Sequence, residues 1–403
     1  MYRKYSKGRS YNRFSKEKPY NRFSNRNKRS NSRQPVGSHI NPARFINKAI
    51  APKQLERFVP VNEFRGFAID ESLKSNIFAK GYKAPTSIQD KIIPQVLRGN
   101  DVVGIANTGT GKTAAFLIPL IQKVIGSNKE KVLIITPTRE LALQINQEFK
   151  DFTRKLGIWS ACCVGGASIR GQIFDLRSKN NFVIGTPGRL KDLIEKRFIK
   201  LSEFSTIVLD EADRMLDMGF IGDTRFLVSL MPKKHQTLFF SATIGREVES
   251  LIKEFLYNPV IVSVKTADTP ETIEQDVVRV AGLEKIEVLR SLLVKEEFHK
   301  ILIFGKTKHG VKNLSIKLIK QGFAVESIHG DKIHSQRQRA LEAFRTDKVK
   351  ILVATDVAAR GLDIPNISHV INYDLPATYD DYVHRIGRTG RGNKAGKALT
   401  FID

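Results

Sequence analysis

Short apolar runs recur along most of the chain, separated by stretches with the polar faces of helices. The first series falls at 101–105, 132–136, 182–185, 206–209, 237–240 and 260–264. A second falls at 300–304, 324–328, 351–354, 370–373 and 398–401. Before the first series, the pattern predicts a helix over 71–80, with Leu73, Ile77 and Phe78 on one side. Gly81 and Pro85 close it, and a further helix runs from Gln89 toward Leu97. Apolar strands alternating with helices predict an α/β fold of parallel sheets with crossover helices. The polar, proline-containing stretch Lys265-Thr266-Ala267-Asp268-Thr269-Pro270-Glu271 separates the two series. The expected organisation is a tail over 1–60, a first domain over 61–264, a linker over 265–272 and a second domain over 273–403.

The tail differs in composition from the rest. Its first fifty residues hold fourteen Lys and Arg against one acid, Glu17, a surplus of 13 in a chain of net charge +26. Apolar residues are sparse there, so disorder is expected. A short repeat stands out: Tyr11-Asn12-Arg13-Phe14-Ser15 returns as Tyr20-Asn21-Arg22-Phe23-Ser24. Aromatics among arginines suit stacking on unpaired bases, with the charges on phosphates. A merely solubilising tail is the alternative. The overall basicity favours a polyanionic partner, nucleic acid before anionic membrane.

In 403 residues, 41% of them hydrophobic, the chain can bury more than one core. It has two cysteines, Cys162 and Cys163, adjacent and in an apolar context. They are expected as buried strand residues of a reducing compartment, since neighbours rarely pair and two cannot cage zinc. There is no apolar signal core and no run long enough to span a bilayer, so a soluble, cytoplasmic protein with no membrane partner is expected.

The densest chemistry follows the run at 101–105. Ala106-Asn107-Thr108-Gly109-Thr110-Gly111-Lys112-Thr113 is a glycine-bearing turn between a strand and a helix, which is a phosphate cradle. Gly109 and Gly111 let backbone N–H groups approach a phosphate, and the helix N-terminus adds unpaired donors. Lys112 is placed for the β and γ phosphates, and Thr113 for Mg²⁺. Ala106 stands where such loops carry their first glycine. Asp210-Glu211-Ala212-Asp213 ends the run at 206–209, at the sheet edge where ligands bind in such folds. Asp210 suits Mg²⁺, largely through water, and Glu211 suits an attacking water.

This combination resembles the DEAD-box RNA helicases of helicase superfamily 2, over nearly all of 64–403, with motif wording nearest the bacterial RhlE-type members. The resemblance implies two tandem RecA-like domains that use ATP and Mg²⁺. Phe64, Gly81, Pro85-Thr86 and Gln89 resemble the Q motif, with the Gln89 amide on the adenine edge and Phe64 stacked near it. The nucleotide set it implies is Phe64, Gln89, Thr108, Gly109, Thr110, Gly111, Lys112, Thr113 and the ribose contact Asp363. Pro137-Thr138-Arg139-Glu140-Leu141-Ala142, Gly165-Gly166 and Thr186-Pro187-Gly188-Arg189 resemble the first domain's RNA-backbone contacts. In the second domain Gln336 and Arg339, within Gln336-Arg337-Gln338-Arg339, and Thr355, Arg360 and Gly361 resemble the matching contacts. Ser241 and Thr243, with Asp213, His384 and Arg385, resemble the residues that couple the domains. Arg388 and Arg391 resemble arginine fingers. Three residues apart, they are expected on one helical turn facing the cleft.

The implied activity is ATP-dependent separation or remodelling of short RNA duplexes or RNA–protein complexes, without sequence preference. RNA, and possible ribonucleoprotein partners, are the implied company; no stable oligomer is expected. An ATP-gated RNA clamp or annealing chaperone, and a DNA-directed helicase on the same engine, are the alternatives. The chain stops on what the resemblance makes the last strand of the second domain, without the helix usually placed after it. The edge of that domain is expected to be less stable for it.

Overall fold

A computed structural model describes residues 45–46, 58–107, 109–264, 273–359, 364–390 and 396–402. Most of the expected tail and the whole of the expected linker lie outside them. Two parallel sheets organise what is described. In the first lobe the strands are β1 (Val102–Ile105), β2 (Val132–Ile135), β3 (Ser160–Cys163), β4 (Phe182–Gly185), β5 (Thr206–Leu209), β6 (Gln236–Ser241) and β7 (Val260–Ser263). They stand in the order β3-β4-β2-β5-β6-β1-β7, every neighbouring pair parallel. Each is short and apolar because both faces are covered. Along β2, Val132 and Ile134 enter one core cluster, while Leu133 and Ile135 enter the opposite one.

The helices covering this sheet are α1 (Glu71–Ala79), α2 (Ser87–Leu97), α3 (Lys112–Gly126), α4 (Arg139–Phe152), α5 (Ile169–Arg177), α6 (Pro187–Glu195), α7 (Ala212–Asp217), α8 (Ile221–Ser229) and α9 (Arg246–Phe255). Local chemistry sets several of their starts. Asp70 caps α1 by accepting from Ser72 N, Thr138 caps α4 from Leu141 N, and Pro187 opens α6.

The second lobe repeats the plan with β8 (Ile273–Arg279), β9 (Ile301–Phe304), β10 (Val325–Ile328), β11 (Ile351–Ala354), β12 (His369–Asn372) and β13 (Gly396–Ile402). The order is β10-β11-β9-β12-β13-β8, again all parallel. Its helices are α10 (Lys285–Leu293), α11 (Lys308–Lys320), α12 (His334–Arg345), α13 (Asp356–Ala359) and α14 (Tyr379–Ile386). Ile301 and Ile303 of β9 face one cluster, and Leu302 and Phe304 the other.

Three features depart from expectation. The strands β3 and β8 were not among the expected runs: both are edge strands, and β8 alternates buried Ile273 and Gln275 with exposed Glu274 and Asp276. The last strand is not an edge of its sheet. β13 lies inside the sheet, paired with β12 on one side and with β8 from Ile273 to Arg279 on the other. Finally, Phe45 overturns disorder for its own part of the expected tail. Its ring is fully buried, packs 4.7 Å from that of Tyr382, and joins Ile273, Ile386 and Ala398 of the second lobe. Removing an aromatic surface from water outweighs ordering one residue.

His369, at the head of β12, is a buried titratable group. Its ring stacks on Phe298 with centroids 3.9 Å apart, and Nδ1 lies 3.0 Å from Ser368 Oγ. Burial pushes its pKa down to about 4. The unfolded chain takes up a proton near pH 6.5, so stability is lost as pH falls from there toward 4. His369→Phe keeps the stacking and removes the titration, and Ser368 Oγ keeps its bonds to Lys300. In urea unfolding of the second lobe, the wild type should lose roughly 2 kcal/mol more than the variant between pH 7 and pH 5. Parallel losses in the two proteins would contradict the assignment.

Candidate functional site

The carboxyl ends of β1, β5 and β6 converge on one place. Beyond β1 the turn from Ala106 leads into α3, with Gly109 at φ 83° and Gly111 at φ 91°. Gly111 caps α3 in a left-handed conformation, and a Cβ there would stand 2.3 Å from Gln89 Nε2. Lys112 is buried, and its Nζ donates to the Ala106 carbonyl at 2.8 Å. Ala106 is itself core: its N–H donates to Ser241 O, extending the β1–β6 ladder, and its methyl group packs inward. Thr113 follows in the first turn of α3, and Thr110 Oγ1 donates to Asn107 O at 2.9 Å. Thr108 lies outside the described residues.

The carboxylates stand opposite Lys112. Asp210 is buried, which pushes its pKa up to about 7; Lys112 opposes the rise, while Glu211 and Asp213 add to it. Glu211 holds a left-handed backbone, φ 52° and ψ 50°, at the N-cap of α7. Such a conformation in a non-glycine residue stores strain of about 1–3 kcal/mol. Its buried Oε2 has no hydrogen-bond partner among the described residues. A buried acceptor left open, a strained backbone and a lysine waiting on a carbonyl fit a site shaped for a phosphate and its metal. Asp213 works differently. Its Oδ2 accepts from Ala242 N at 3.0 Å, Thr243 N at 3.1 Å and Thr243 Oγ1 at 3.1 Å. Ser241 Oγ donates to Thr243 O at 2.7 Å, so the whole segment after β6 is clasped.

The two adenine-side residues are placed less simply. Gln89 Oε1 accepts from Thr86 N at 2.9 Å and Nε2 donates to Gly111 O at 3.1 Å, joining α2 to the phosphate loop. Each atom keeps one further hydrogen-bonding position. Phe64 corrects the expectation of a ring stacked near a base: it is fully buried, edge-on to Phe67 and Tyr82 with centroids 6.0 Å away in each case. It holds the entry to the lobe as core.

Among the first-lobe segments expected to meet RNA, Pro137, Thr138 and Arg139 open α4, and Arg139 lies over the glycine turn. A Cβ on Gly166, at φ 76°, would be 2.3 Å from Arg139 Nη1. Thr186 and Pro187 begin α6, and Gly188 faces open space but for Asp223. Arg189 is engaged within the lobe: Nη1 donates to Gln172 Oε1 at 2.9 Å and to Ala167 O at 3.3 Å. It braces α5 against α6. The thiols of Cys162 and Cys163 in β3 are free, and burial pushes both up to about 12, so they are neutral strand residues.

In the second lobe Gln336 and Arg339 are exposed on α12, and Thr355 heads α13 by accepting from Ala358 N and Ala359 N. Arg360, Gly361, Asp363 and Arg391 lie outside the described residues. Arg388 lies beyond α14, which ends at Ile386 with Gly387 as its cap. The Arg388 side chain is buried beside His384, whose carbonyl accepts from its Nε at 3.3 Å. Arg385 corrects its expected coupling role. Its guanidinium is saturated inside the lobe by Asp356 at 2.5 and 2.7 Å, Asn372 Oδ1 at 3.2 Å and Asp374 O at 2.6 Å. Contact between lobes comes instead from residues with no expected role. Arg214 Nη1, directly after Asp213, stands 3.6 Å from Asp381 Oδ1 on α14.

Residues 86–251 match the family described as DEAD/DEAH box helicase, and residues 284–393 match the helicase conserved C-terminal domain. The chain is 43% identical over 344 residues to the ATP-dependent RNA helicase CshA of Listeria monocytogenes, an alignment covering 85% of this chain and 66% of that relative. Saccharomyces cerevisiae Dbp5 bound to RNA and ADP BeF3 superposes with a TM-score of 0.77 at 30% identity, covering 84% of this chain and 89% of that one. This chain belongs to the DEAD-box helicases. Another helicase structure, Mss116p bound to ssRNA and AMP-PNP, also gives a TM-score of 0.77, at 31% identity over 86% of this chain and 76% of that one. The RhlE-type likeness within the family is a loose one. The two lobes are the tandem RecA-like domains of these helicases. The chain spans about two thirds of the length of CshA.

The reassignment of Arg385 in this helicase is testable by stability. Arg385→Met leaves the buried Asn372 Oδ1 and the half-buried Asp356 without their cation and should cost the second lobe about 3 kcal/mol in urea unfolding. A residue that only coupled the lobes would leave that stability unchanged.

Proposed function

We propose that this helicase hydrolyses ATP in response to RNA and uses the cycle to separate or remodel short RNA duplexes or RNA–protein complexes in the cytoplasm. The observation that carries this reading is the contact between Arg214 and Asp381. It joins the helix that follows the buried carboxylates to the helix that precedes Arg388, so events at one lobe's phosphate site bear on the other lobe's arginines.

The roles follow from the positions. Gly109, Thr110 and Gly111 offer backbone donors to the β and γ phosphates, and Lys112 leaves the Ala106 carbonyl to meet them. The Thr113 hydroxyl and the Asp210 carboxylate would hold Mg²⁺, Asp210 largely through water. Mg²⁺ in such a site supplies positive charge against the phosphate oxygens. Its charge would also favour the ionised form of Asp210, against the upward push of burial. Glu211 Oε2, open and fixed by the strained backbone, orients water and accepts its proton. Arg388 and Arg391 stabilise charge that develops on the γ-phosphate once the lobes close. Gln89 uses its remaining donor and acceptor for the adenine edge, and Asp363 meets the ribose.

RNA is gripped by its backbone. Thr138, Arg139, Gly166, Thr186 and Gly188 from one lobe, with Gln336, Arg339, Thr355, Arg360 and Gly361 from the other, offer hydroxyls, amides and cations that suit phosphate and 2′-OH groups. Asp213 reports occupancy of the phosphate site to the segment after β6 through Thr243. No helix among the described residues is long and apolar enough to cross a membrane.

Glu211→Gln tests the hydrolytic role. The variant should keep ATP-dependent RNA retention on a filter while its RNA-stimulated turnover falls about 100-fold or more. Turnover equal to wild type would contradict the role given to Glu211.

A further inference from the structure

The lobes also touch at a second place, between the first turns of α4 and α12. Arg337 Nη2 stands 2.8 Å from Glu140 Oε1, and the side chains are 11% and 3% exposed. The pair is close but poorly aligned. Neither Glu140 Oε1 nor Arg337 Nε has a hydrogen bond among the described residues. Arg139 and His334 stand beside it; burial pushes the pKa of Arg337 and of His334 down, and Glu140 draws both back up. Glu140 also lines a polar cleft of about 540 Å³ between the lobes, with Glu148 and Asp151 on one side and Glu342 and Arg345 on the other.

We propose that Arg337 and Glu140 form an interlobe latch, a pair of positioning residues that sets how readily the lobes close around RNA. The proposal rests on the closing cycle described above and adds two residues that were given no part in it. When the lobes are apart, each charge belongs to a different lobe and can be hydrated. Closure strips that water, and a misaligned pair returns only part of the loss. The latch therefore cannot hold the lobes shut by itself, and closure still depends on ATP and RNA. It does penalise any closed geometry in which one charge is buried without the other, and so fixes how α4 meets α12.

Removing one charge strands its partner in the closed form alone, whereas removing both relieves the penalty. The full-length chain is tested as Arg337→Met, Glu140→Gln, the double variant and Arg337→Lys, by ATPase rate against concentration of a single-stranded oligoribonucleotide. Each neutralising single variant should raise the half-saturating RNA about tenfold or more, with a much smaller change in maximal rate. The double variant should recover most of that loss, because contacting charges are not additive. Arg337→Lys, which keeps the charge, should stay near wild type. If Arg337 served an RNA phosphate instead, adding Glu140→Gln would repair nothing, and that outcome overturns the latch. Single variants with wild-type RNA dependence overturn it as well. A wild-type ATPase indifferent to RNA would sink the underlying function, an outcome distinct from either.

Discussion

The carboxylate of Asp213 holds the backbone of Ala242 and Thr243, and that clasp ties the turn after β5 to the segment after β6. The turn around it is crowded with opposing demands. Glu211 takes a left-handed backbone to begin α7, Asp210 keeps a carboxylate where burial resists its charge, and Arg214 reaches the other lobe. Asp210, Glu211, Asp213 and Arg214, four of five successive residues running into α7, each face a different partner because the backbone turns sharply at Glu211. The strain there is the physical condition for placing two buried carboxylates, a strand clasp and an interlobe cation together.

Parallel topology explains why that turn meets everything else. In a parallel sheet all strands deliver their following residues to one edge. The first lobe brings the phosphate loop after β1, Pro137 and Thr138 after β2, Thr186 after β4, Asp210 after β5 and Ala242 after β6 to that edge. The second lobe brings Thr355 after β11 in the same way, yet its sequence has no Gly-Lys-Thr loop. Only the first lobe therefore carries a phosphate loop of its own. Two interlobe ion pairs among the described residues are modest ones: Arg214 and Asp381 stand 3.6 Å apart, and Arg337 meets Glu140 without good alignment. Contacts of that strength suit lobes that must separate again in each cycle.

Much of this was legible before any coordinates. Apolar runs marked buried strands because both sheet faces are covered, and Gly-Lys-Thr after such a run marked the phosphate loop. What the sequence could not reveal was which motif residues had already been used by the fold. Phe64 and Arg385 carry the residue types of a stacking ring and a coupling cation, but tertiary contacts with Phe67, Tyr82 and Asp356 consume them. Arg189 is likewise drawn to Gln172. Edge strands such as β8 escaped notice because half of their side chains face outward and interrupt the apolar run. Phe45 looked like part of a polar tail because its partners, Tyr382 and Ile386, lie over three hundred residues away in the chain. Arg214, Glu140 and Arg337 lay inside or beside quoted motifs, and only the spatial meeting of the two lobes gives them a part.

The central claim is that nucleotide and RNA together draw the two lobes onto one another. Distance between a fluorophore on the exposed face of α5 and one on the exposed face of α11, followed in single molecules, measures this directly. A nonhydrolysable ATP analogue with a single-stranded oligoribonucleotide should collect the molecules into one short-distance population, and either ligand alone should leave them spread. The same distribution with both ligands as with none would contradict the account.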